Sequence, residues 1–201
     1  MPQQAAQFAI VGVIIGWFVL GAVLLKARLQ QSGAGKAQKR DLASWFGLAL
    51  QGLGFAVAWG WRDGRYPTLM SLLPAAGQWP LALFAIALAL ASALFAAAAV
   101  RELGKQWSLT ARLLQGHELI TSGPFARVRH PIYSALLGML AATGVILVSP
   151  QATLVAIAIY LFGTHLRARR EERLLAEMFG EAYADYARRV PRLLPRLRRE
   201  R

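Results

Sequence analysis

The sequence contains no cysteine and few acidic or histidine residues. Its 201 residues include 10 Asp or Glu and three His, compared with 23 Lys or Arg. Without cysteine the chain can form no disulfide and can use no thiolate as a nucleophile or metal ligand. The histidines, His117, His130 and His165, are not spaced as metal ligands, and no Gly-rich or phosphate-loop nucleotide motif occurs. We therefore expect neither a metal site nor a nucleotide site of the kind found in soluble proteins.

Five stretches of the chain also lack any charged residue. Hydrophobic residues make up 56% of the sequence and charged residues 16%, which is unusual for a soluble domain. The first three uncharged stretches hold 18, 20 and 22 residues, close to the length that a helix needs to cross a bilayer. We predict an all-α integral membrane protein that forms a single domain, residues 1–201, with about five transmembrane helices. The uncharged stretches are residues 8–25, 42–61, 79–100, 132–148 and 151–166.

The last two uncharged stretches are predicted to form a tight helical hairpin. Only Ser149 and Pro150 separate them, and a proline can end one helix and open the next. A C-terminal amphipathic helix is expected to follow the hairpin. In the earlier helices, small residues such as Gly47, Gly52 and Gly54 are typical of close helix packing in lipid.

Positive charge is distributed unevenly between the segments that connect these stretches. Residues 26–41 carry five Lys or Arg, residues 62–78 two, residues 101–131 five and residues 163–201 eleven. Because cytoplasmic segments are enriched in these residues, the alternation predicts an N-terminus outside the cell and a C-terminus in the cytoplasm. The short chain and its basic tail favour a multi-pass protein of a bacterial inner membrane.

The net charge of +13 is also typical of proteins that bind nucleic acids. Membrane topology and attraction to anionic lipid headgroups explain the same arginines, however. We therefore predict membrane lipids as partners, and no nucleic acid.

A polar segment, residues 129–133, lies at the start of the fourth uncharged stretch. Pro131 disfavours a helical backbone at His130 and suits the first turn of the helix that follows. His130 is therefore expected at a helix N-terminus, where free amides favour a carboxylate. Taken alone, Arg127 and Arg129 are typical of anchors to lipid phosphates, and His130 of a simple helix cap.

A second polar segment follows the fifth stretch and contains Arg167, Glu171 and Glu172. On a continuous helix, Arg167 and Glu171 share a face, as they would in an ordinary exposed helix with salt bridges. A tight hairpin, however, returns this segment to the same membrane face as His130 and Tyr133. We therefore expect the two polar segments to converge in a functional site.

The order of these motifs resembles that of a known enzyme family. The motifs, within about residues 101–195, are Leu119, Gly123-Pro124-Phe125, Arg129-His130-Pro131-Ile132-Tyr133, Arg167, Glu171-Glu172, Phe179-Gly180-Glu181-Ala182-Tyr183-Ala184-Asp185-Tyr186 and Val190-Pro191. Together they resemble the isoprenylcysteine carboxyl methyltransferase family, whose C-terminal pattern phospholipid methyltransferases share. The helices within residues 8–100 resemble that family only as membrane spans.

The resemblance implies a membrane enzyme that binds S-adenosylmethionine on the cytoplasmic side and takes a lipophilic acceptor from the bilayer. Residues 101–201 would form its catalytic region, with Arg167, Glu171 and Glu172 as catalytic residues and Arg167 facing the acceptor. Phe125 departs from the family, which usually has Tyr at that position. The residues assigned to the cofactor are His117, Glu118, Leu119, Ile120, Phe125, His130, Pro131, Ile132, Tyr133 and Glu171.

The methyl acceptor and the activity itself remain open at the level of the sequence. A lipophilic small molecule or a prenylated acceptor with a carboxylate needs no base, and Arg167 could hold that carboxylate by a forked pair of hydrogen bonds. Phosphatidylethanolamine would instead need a base such as Glu172 or His130. Two further alternatives are an NADPH-dependent reductase of the sterol type, which Ile132 argues against, and a membrane scaffold without catalytic activity.

Overall fold

The computed structural model describes residues 2–30, 42–60, 66–104 and 118–196, and within these ranges it contains helices and no β-strand. The all-α prediction is confirmed for this part of the chain. A short 3₁₀ turn, Gly123–Ala126, precedes the fifth helix. The α-helices are α1 (Pro2–Gln30), α2 (Leu42–Gly60), α3 (Leu69–Leu72), α4 (Ala75–Leu103), α5 (Pro131–Leu147) and α6 (Pro150–Arg189).

The long helices correspond to the five uncharged stretches of the sequence. Gln4–Gln30 of α1 and Ala75–Leu103 of α4 are long and apolar enough to cross a membrane. Their outward faces are apolar, with Phe18 75% exposed on α1 and Leu94 67% exposed on α4. A membrane protein is therefore supported, and the number of five spans stays a prediction.

Helices α1, α4 and α5 pack together through small side chains. One face of α4 is a row of fully buried alanines that contacts Ala5, Ala9 and Val13 of α1 and Met139 of α5. The indole nitrogen of Trp17 also donates a hydrogen bond to Thr143, 3.0 Å away. The alanines are Ala82, Ala85, Ala89, Ala93, Ala96 and Ala99.

Helix α2 packs closely along α6, and glycines permit this approach. A Cβ atom on Gly47 would lie 2.5 Å from the Arg167 side chain and 2.8 Å from the Gly163 carbonyl oxygen. A Cβ atom on Gly54 would likewise lie 2.8 Å from the backbone of α6. The packing role predicted for these two glycines is confirmed. The prediction is wrong for Gly52, which is exposed and has no described neighbour within 4 Å of such an atom.

The predicted hairpin between α5 and α6 is present. Val148 ends α5, and the Ser149 side chain caps α6 by accepting a hydrogen bond from the backbone of Ala152. Helix α6 then continues far beyond the predicted span, to Arg189, so the expected C-terminal helix is the continuation of α6. Its bend at Gly180, where φ is 51°, turns the last part of the helix back towards α5.

Candidate functional site

The approach to α5 is an extended segment that ends in the 3₁₀ turn. Gly123 begins this turn with φ of 56°, a backbone conformation that glycine adopts without steric cost. The Phe125 side chain is buried, and its carbonyl oxygen accepts a hydrogen bond from the Tyr186 hydroxyl at 2.8 Å. The bent end of α6 therefore holds the turn that leads into the site.

His130 and Pro131 begin α5 as the sequence predicted. His130 has a non-helical backbone, with φ of −124° and ψ of 67°, and Pro131 occupies the first helical turn. The His130 side chain makes no capping hydrogen bond to this helix end, in contrast to the serine cap on α6. The N-terminus of α5 therefore retains the partial positive charge that attracts anions.

The two polar segments converge at this helix end. The Tyr133 hydroxyl donates a hydrogen bond to Glu171 Oε1. His130 lies between the two glutamates, with Nδ1 3.4 Å from Glu171 Oε2 and Nε2 3.1 Å from Glu172 Oε1. The rings of His130 and Tyr133 stack in nearly parallel planes, 5.4 Å apart. The predicted convergence of α5 and α6 is thus confirmed.

Glu172 is held by three cationic side chains. Arg192 contacts both of its carboxylate oxygens, at 2.9 and 2.5 Å, and Arg129 lies 3.4 Å away. Burial raises the pKa of Glu172, but His130, Arg192 and Arg129 outweigh it and lower the pKa to about 2. The lipid-anchor interpretation of Arg129 is wrong, because this side chain is 14% exposed and pairs with Glu172. Arg127 is exposed.

His130 and Glu171 stabilise one another's charged forms. Burial lowers the pKa of His130, but the two neighbouring glutamates outweigh it, so that the pKa lies above its ordinary value. Burial raises the pKa of Glu171, but His130 and Arg167 outweigh it, so that the pKa lies below its ordinary value. Near neutral pH the site therefore presents an anionic Glu171 beside a histidine that readily takes a proton.

Arg167 lies on the membrane side of Glu171 and is almost entirely buried. Its Nη1 atom donates a hydrogen bond to Gln51 Oε1 of α2 at 2.6 Å, and its guanidinium lies over the Tyr133 ring at 5.0 Å. Its Nη2 atom is 3.9 Å from Glu171 Oε1, the outer limit of an ion pair. A neutral amide and an aromatic ring therefore both contact the guanidinium.

The other residues predicted to bind the cofactor differ in how far they are exposed. Glu118 is exposed, Leu119, Ile120 and Ile132 are half-buried, and Pro131 is buried. His117 lies outside the described residues.

Two residues of the cluster, Gln51 and Arg192, were not predicted from the sequence. Gln51 could have been found, because it is a polar residue within an uncharged membrane stretch, and such residues are usually functional. Arg192 follows the Val190-Pro191 motif, but nothing in the sequence indicates that it pairs with Glu172.

The region that carries the site matches a known family. Residues 84–177 match the model of the isoprenylcysteine carboxyl methyltransferase (ICMT) family. The match covers slightly less than half of the chain, and residues 84–177 are called the ICMT region. The ICMT region includes His130, Tyr133, Arg167 and both glutamates, whereas Gln51 lies outside it.

Curated relatives of the ICMT region carry two kinds of name. The chain is 38% identical over 80 residues to "Protein-S-isoprenylcysteine O-methyltransferase B" of Arabidopsis thaliana, which is 39% of this chain and 40% of that protein. It is 38% identical over 80 residues to "Protein-S-isoprenylcysteine O-methyltransferase" of Homo sapiens, 39% of this chain and 28% of that protein. It is also 39% identical over 84 residues to "Cobalt-zinc-cadmium resistance protein CzcN" of Cupriavidus metallidurans, 41% of this chain and 38% of that protein.

The similarity therefore covers a minority of each protein. The chain spans about two fifths of the length of the plant and bacterial relatives, and less of the human one. The aligned part corresponds in size to the ICMT region.

Proposed function

We propose that the protein transfers a methyl group from S-adenosylmethionine to the carboxylate of a lipophilic acceptor of the isoprenylcysteine type. The observation that carries this proposal is the convergence of Glu171 and Arg167 on the N-terminus of α5 within an ICMT region. An anion, a buried cation and a helix N-terminus can each bind an oppositely charged group of a cofactor or an acceptor.

The charges of the site fit the methionyl end of the cofactor, which carries an ammonium and a carboxylate. Glu171 is 23% exposed, and a carboxylate has lone pairs for more partners than Tyr133 and His130. Glu171 would therefore hold the ammonium. The amides at the start of α5, together with His130, would hold the carboxylate. Leu119, Ile120, Phe125 and Ile132 offer apolar surface for the nucleoside.

The chemistry requires alignment more than acid–base catalysis. When bound, S-adenosylmethionine supplies an electrophilic methyl group on a sulfonium. Arg167 would hold the acceptor carboxylate by a fork of two hydrogen bonds and so orient one oxygen towards that methyl. Good alignment of two reactants can supply about 7 to 11 kcal/mol of the barrier reduction. A carboxylate is already the nucleophile, so no residue needs to remove a proton.

An amine acceptor such as phosphatidylethanolamine fits this site less well. It would require a base with a pKa near the working pH. The pKa of Glu172 is lowered to about 2 and its oxygens are engaged by Arg192 and Arg129, so it binds protons poorly. Both ring nitrogens of His130 face carboxylates, Glu171 at 3.4 Å and Glu172 at 3.1 Å, so neither is directed at an acceptor amine. These observations support O-methylation over the base role expected for Glu172.

The experiment is a transfer assay with purified protein in lipid nanodiscs. Methyl-labelled S-adenosylmethionine would be incubated with N-acetyl-S-farnesylcysteine and, separately, with phosphatidylethanolamine. We expect label in the farnesylcysteine that alkali releases, as from a methyl ester, and none in the amine. Glu177→Gln, an exposed change on the same helix, should retain this activity, and Glu171→Gln should lose it. Label that resists alkali would identify an N-methyltransferase and contradict the proposal.

A further inference from the structure

Gln51 of α2 reaches the site from outside the ICMT region. Its side chain is buried, with 3% of its surface exposed. The amide oxygen accepts the hydrogen bond from Arg167 Nη1 at 2.6 Å, and the amide nitrogen donates one to Thr164 Oγ1 at 2.7 Å. A polar side chain in an uncharged membrane stretch thus connects two residues of α6.

The two hydrogen bonds fix the orientation of the Gln51 amide. Its nitrogen can only donate and its oxygen can only accept, so Thr164 and Arg167 determine which end faces the guanidinium. The amide carries no net charge. It therefore holds Arg167 in one position without cancelling the positive charge, which a carboxylate at the same place would do.

The backbone of α2 also restrains the Arg167 side chain. Gly47 lies so close that a Cβ atom there would be 2.5 Å from Arg167 Cγ, and a Cβ atom on Gly163 would be 2.9 Å from the backbone nitrogen of Gln51. The stem of Arg167 is thus confined by Gly47 while its head is held by Gln51. Helix α2 therefore sets both the path and the direction of this arginine.

We propose that Gln51 is a positioning residue that aims Arg167 at the acceptor carboxylate and lets the site distinguish a free acid from its neutral methyl ester. The inference rests on the proposed function for the identity of the acceptor. Without the Gln51 contact, the guanidinium would turn towards Glu171, 3.9 Å away, and its attraction for a second carboxylate would fall. Acceptor recognition thereby depends on a helix outside the ICMT region.

The test compares binding of N-acetyl-S-farnesylcysteine and its methyl ester to purified protein in nanodiscs. Gln51→Met retains the size of the side chain and removes both hydrogen bonds. Thr164→Val keeps Gln51 and removes the hydrogen bond that orients its amide, so it tests the same role if Gln51→Met does not fold. Ser44→Ala is the matched control, because Ser44 is buried on the same helix and its hydroxyl has no hydrogen-bond partner among the described residues.

We expect the wild-type protein to bind the acid about ten-fold more tightly than the ester, as a charged hydrogen bond allows. Gln51→Met should reduce this ratio to about two-fold or less and raise KM for the acid more than it lowers kcat. Thr164→Val should give an intermediate ratio. The dissociation constant of S-adenosylmethionine should stay within about two-fold in every variant.

The outcomes separate this inference from the proposed function. The role of Gln51 is overturned if Gln51→Met keeps the wild-type ratio of acid to ester affinity. It is also overturned if Ser44→Ala reduces this ratio as much as Gln51→Met does. Equal binding of acid and ester by the wild type would do the same. If the wild type distinguishes acid from ester but transfers no methyl group, the proposed function is wrong and the role of Gln51 stands.

Discussion

At the scale of single residues, two adjacent glutamates differ in what holds them. Successive residues of a helix point about 100° apart, so Glu171 faces Tyr133 and Arg167, while Glu172 faces Arg129 and Arg192. Glu171 is 23% exposed and lies 3.9 Å from Arg167, whereas Glu172 is 12% exposed and pairs with Arg129 and Arg192. We infer that Glu171 serves the cofactor and Glu172 maintains the site.

The first prediction concerns cofactor affinity. Glu171→Gln removes the anion proposed to hold the methionyl ammonium, so S-adenosylmethionine should bind about 10- to 150-fold more weakly, the equivalent of about 1.5 to 3 kcal/mol. Arg167→Lys should leave this affinity within about three-fold and impair only the acceptor, because Lys lacks the planar fork. Calorimetric titration measures both values. An equal loss of cofactor affinity in the two variants would contradict this division of roles.

The second prediction concerns stability at acidic pH. The pKa of Glu172 is lowered from 4.5 to about 2, so its ion pairs stabilise the fold fully above pH 4.5 and are lost as the pH falls towards 2. The contribution is at most about 3 kcal/mol. The contribution of His130 to stability depends on pH in the opposite direction. Because its pKa is raised, this contribution is lost as the pH increases.

Thermal unfolding in detergent between pH 6 and pH 3 measures the effect of Glu172. The melting temperature of the wild type should fall steeply over this range, and that of Glu172→Gln should start lower and fall less. Glu177→Gln, which alters an exposed side chain of α6, should follow the wild type. Parallel curves for Glu172→Gln and the wild type would show that protonation of Glu172 does not change the stability of the fold.

The sequence predicted those site residues whose position follows from local rules. His130 and Tyr133 could be placed because a proline marks the start of α5, and Arg167 and Glu171 because a helix brings residues four apart onto one face. The partners of Glu172 could not be predicted. Arg192 reaches it only because α6 bends at Gly180, and a backbone angle of one glycine leaves no pattern in hydrophobicity.

At the scale of elements, the end of α6 and residues 190–193 after it form a strap across the start of α5. The backbone amides of Arg129 and His130 donate hydrogen bonds to the carbonyl oxygens of Pro191 and Arg192, at 2.9 and 3.1 Å. Ser134 donates its hydroxyl to the Leu193 carbonyl oxygen at 2.5 Å. The strap thus fixes the segment that positions His130.

The third prediction concerns the bend that directs this strap. Gly180 has φ of 51° and ψ of −123°, a region that other residues adopt at a cost of about 1 to 3 kcal/mol. Gly180→Ala should therefore lower stability by this amount and weaken S-adenosylmethionine binding, because a straighter helix withdraws Tyr186 from Phe125. Thermal unfolding and calorimetric titration test the two effects.

A matched glycine separates backbone strain from crowding. Neither Gly180 nor Gly21 of α1 has a described atom within 4 Å of an added Cβ, but Gly21 lies within a regular helix. Gly21→Ala should leave stability unchanged or raise it slightly, since alanine favours helices by up to about 1 kcal/mol over glycine. Equal destabilisation by both changes would rule out strain at Gly180 as the cause.

The fourth prediction concerns the side chain that holds the strap. Arg192→Gln removes the two contacts to Glu172 and leaves a largely buried carboxylate with fewer partners, so stability should fall by about 1.5 to 3 kcal/mol. Arg188→Gln is the control, because Arg188 pairs with Glu181 and Asp185 at the surface and is 64% exposed. It should leave stability close to that of the wild type, because exposed ion pairs contribute little. Similar losses in both variants would contradict the role of the strap.

At the scale of the whole molecule, the length of α6 relates the site to the membrane. At about 1.5 Å per residue, the part of α6 before its bend at Gly180 measures about 45 Å, which exceeds the thickness of about 30 Å of a hydrocarbon core. Glu171 lies about 32 Å from the start of the helix at Pro150 by the same rule. If Pro150 lies near one surface of the bilayer, the site lies just beyond the other, where a soluble cofactor and a lipophilic acceptor can meet.

The fifth prediction is the orientation of that surface. The positive charge within residues 163–201 predicts that this end of the chain lies in the cytoplasm, and the two Lys or Arg within residues 62–78 predict that this segment lies outside. Fluorescent-protein and alkaline-phosphatase fusions after residue 201, and phosphatase insertion at the exposed Tyr66, test this arrangement in cells. We expect fluorescence from the C-terminal fusion and phosphatase activity only at Tyr66. Phosphatase activity at the C-terminus would place the site outside the cell, away from cytoplasmic S-adenosylmethionine, and would contradict both the topology and the proposed use of that cofactor.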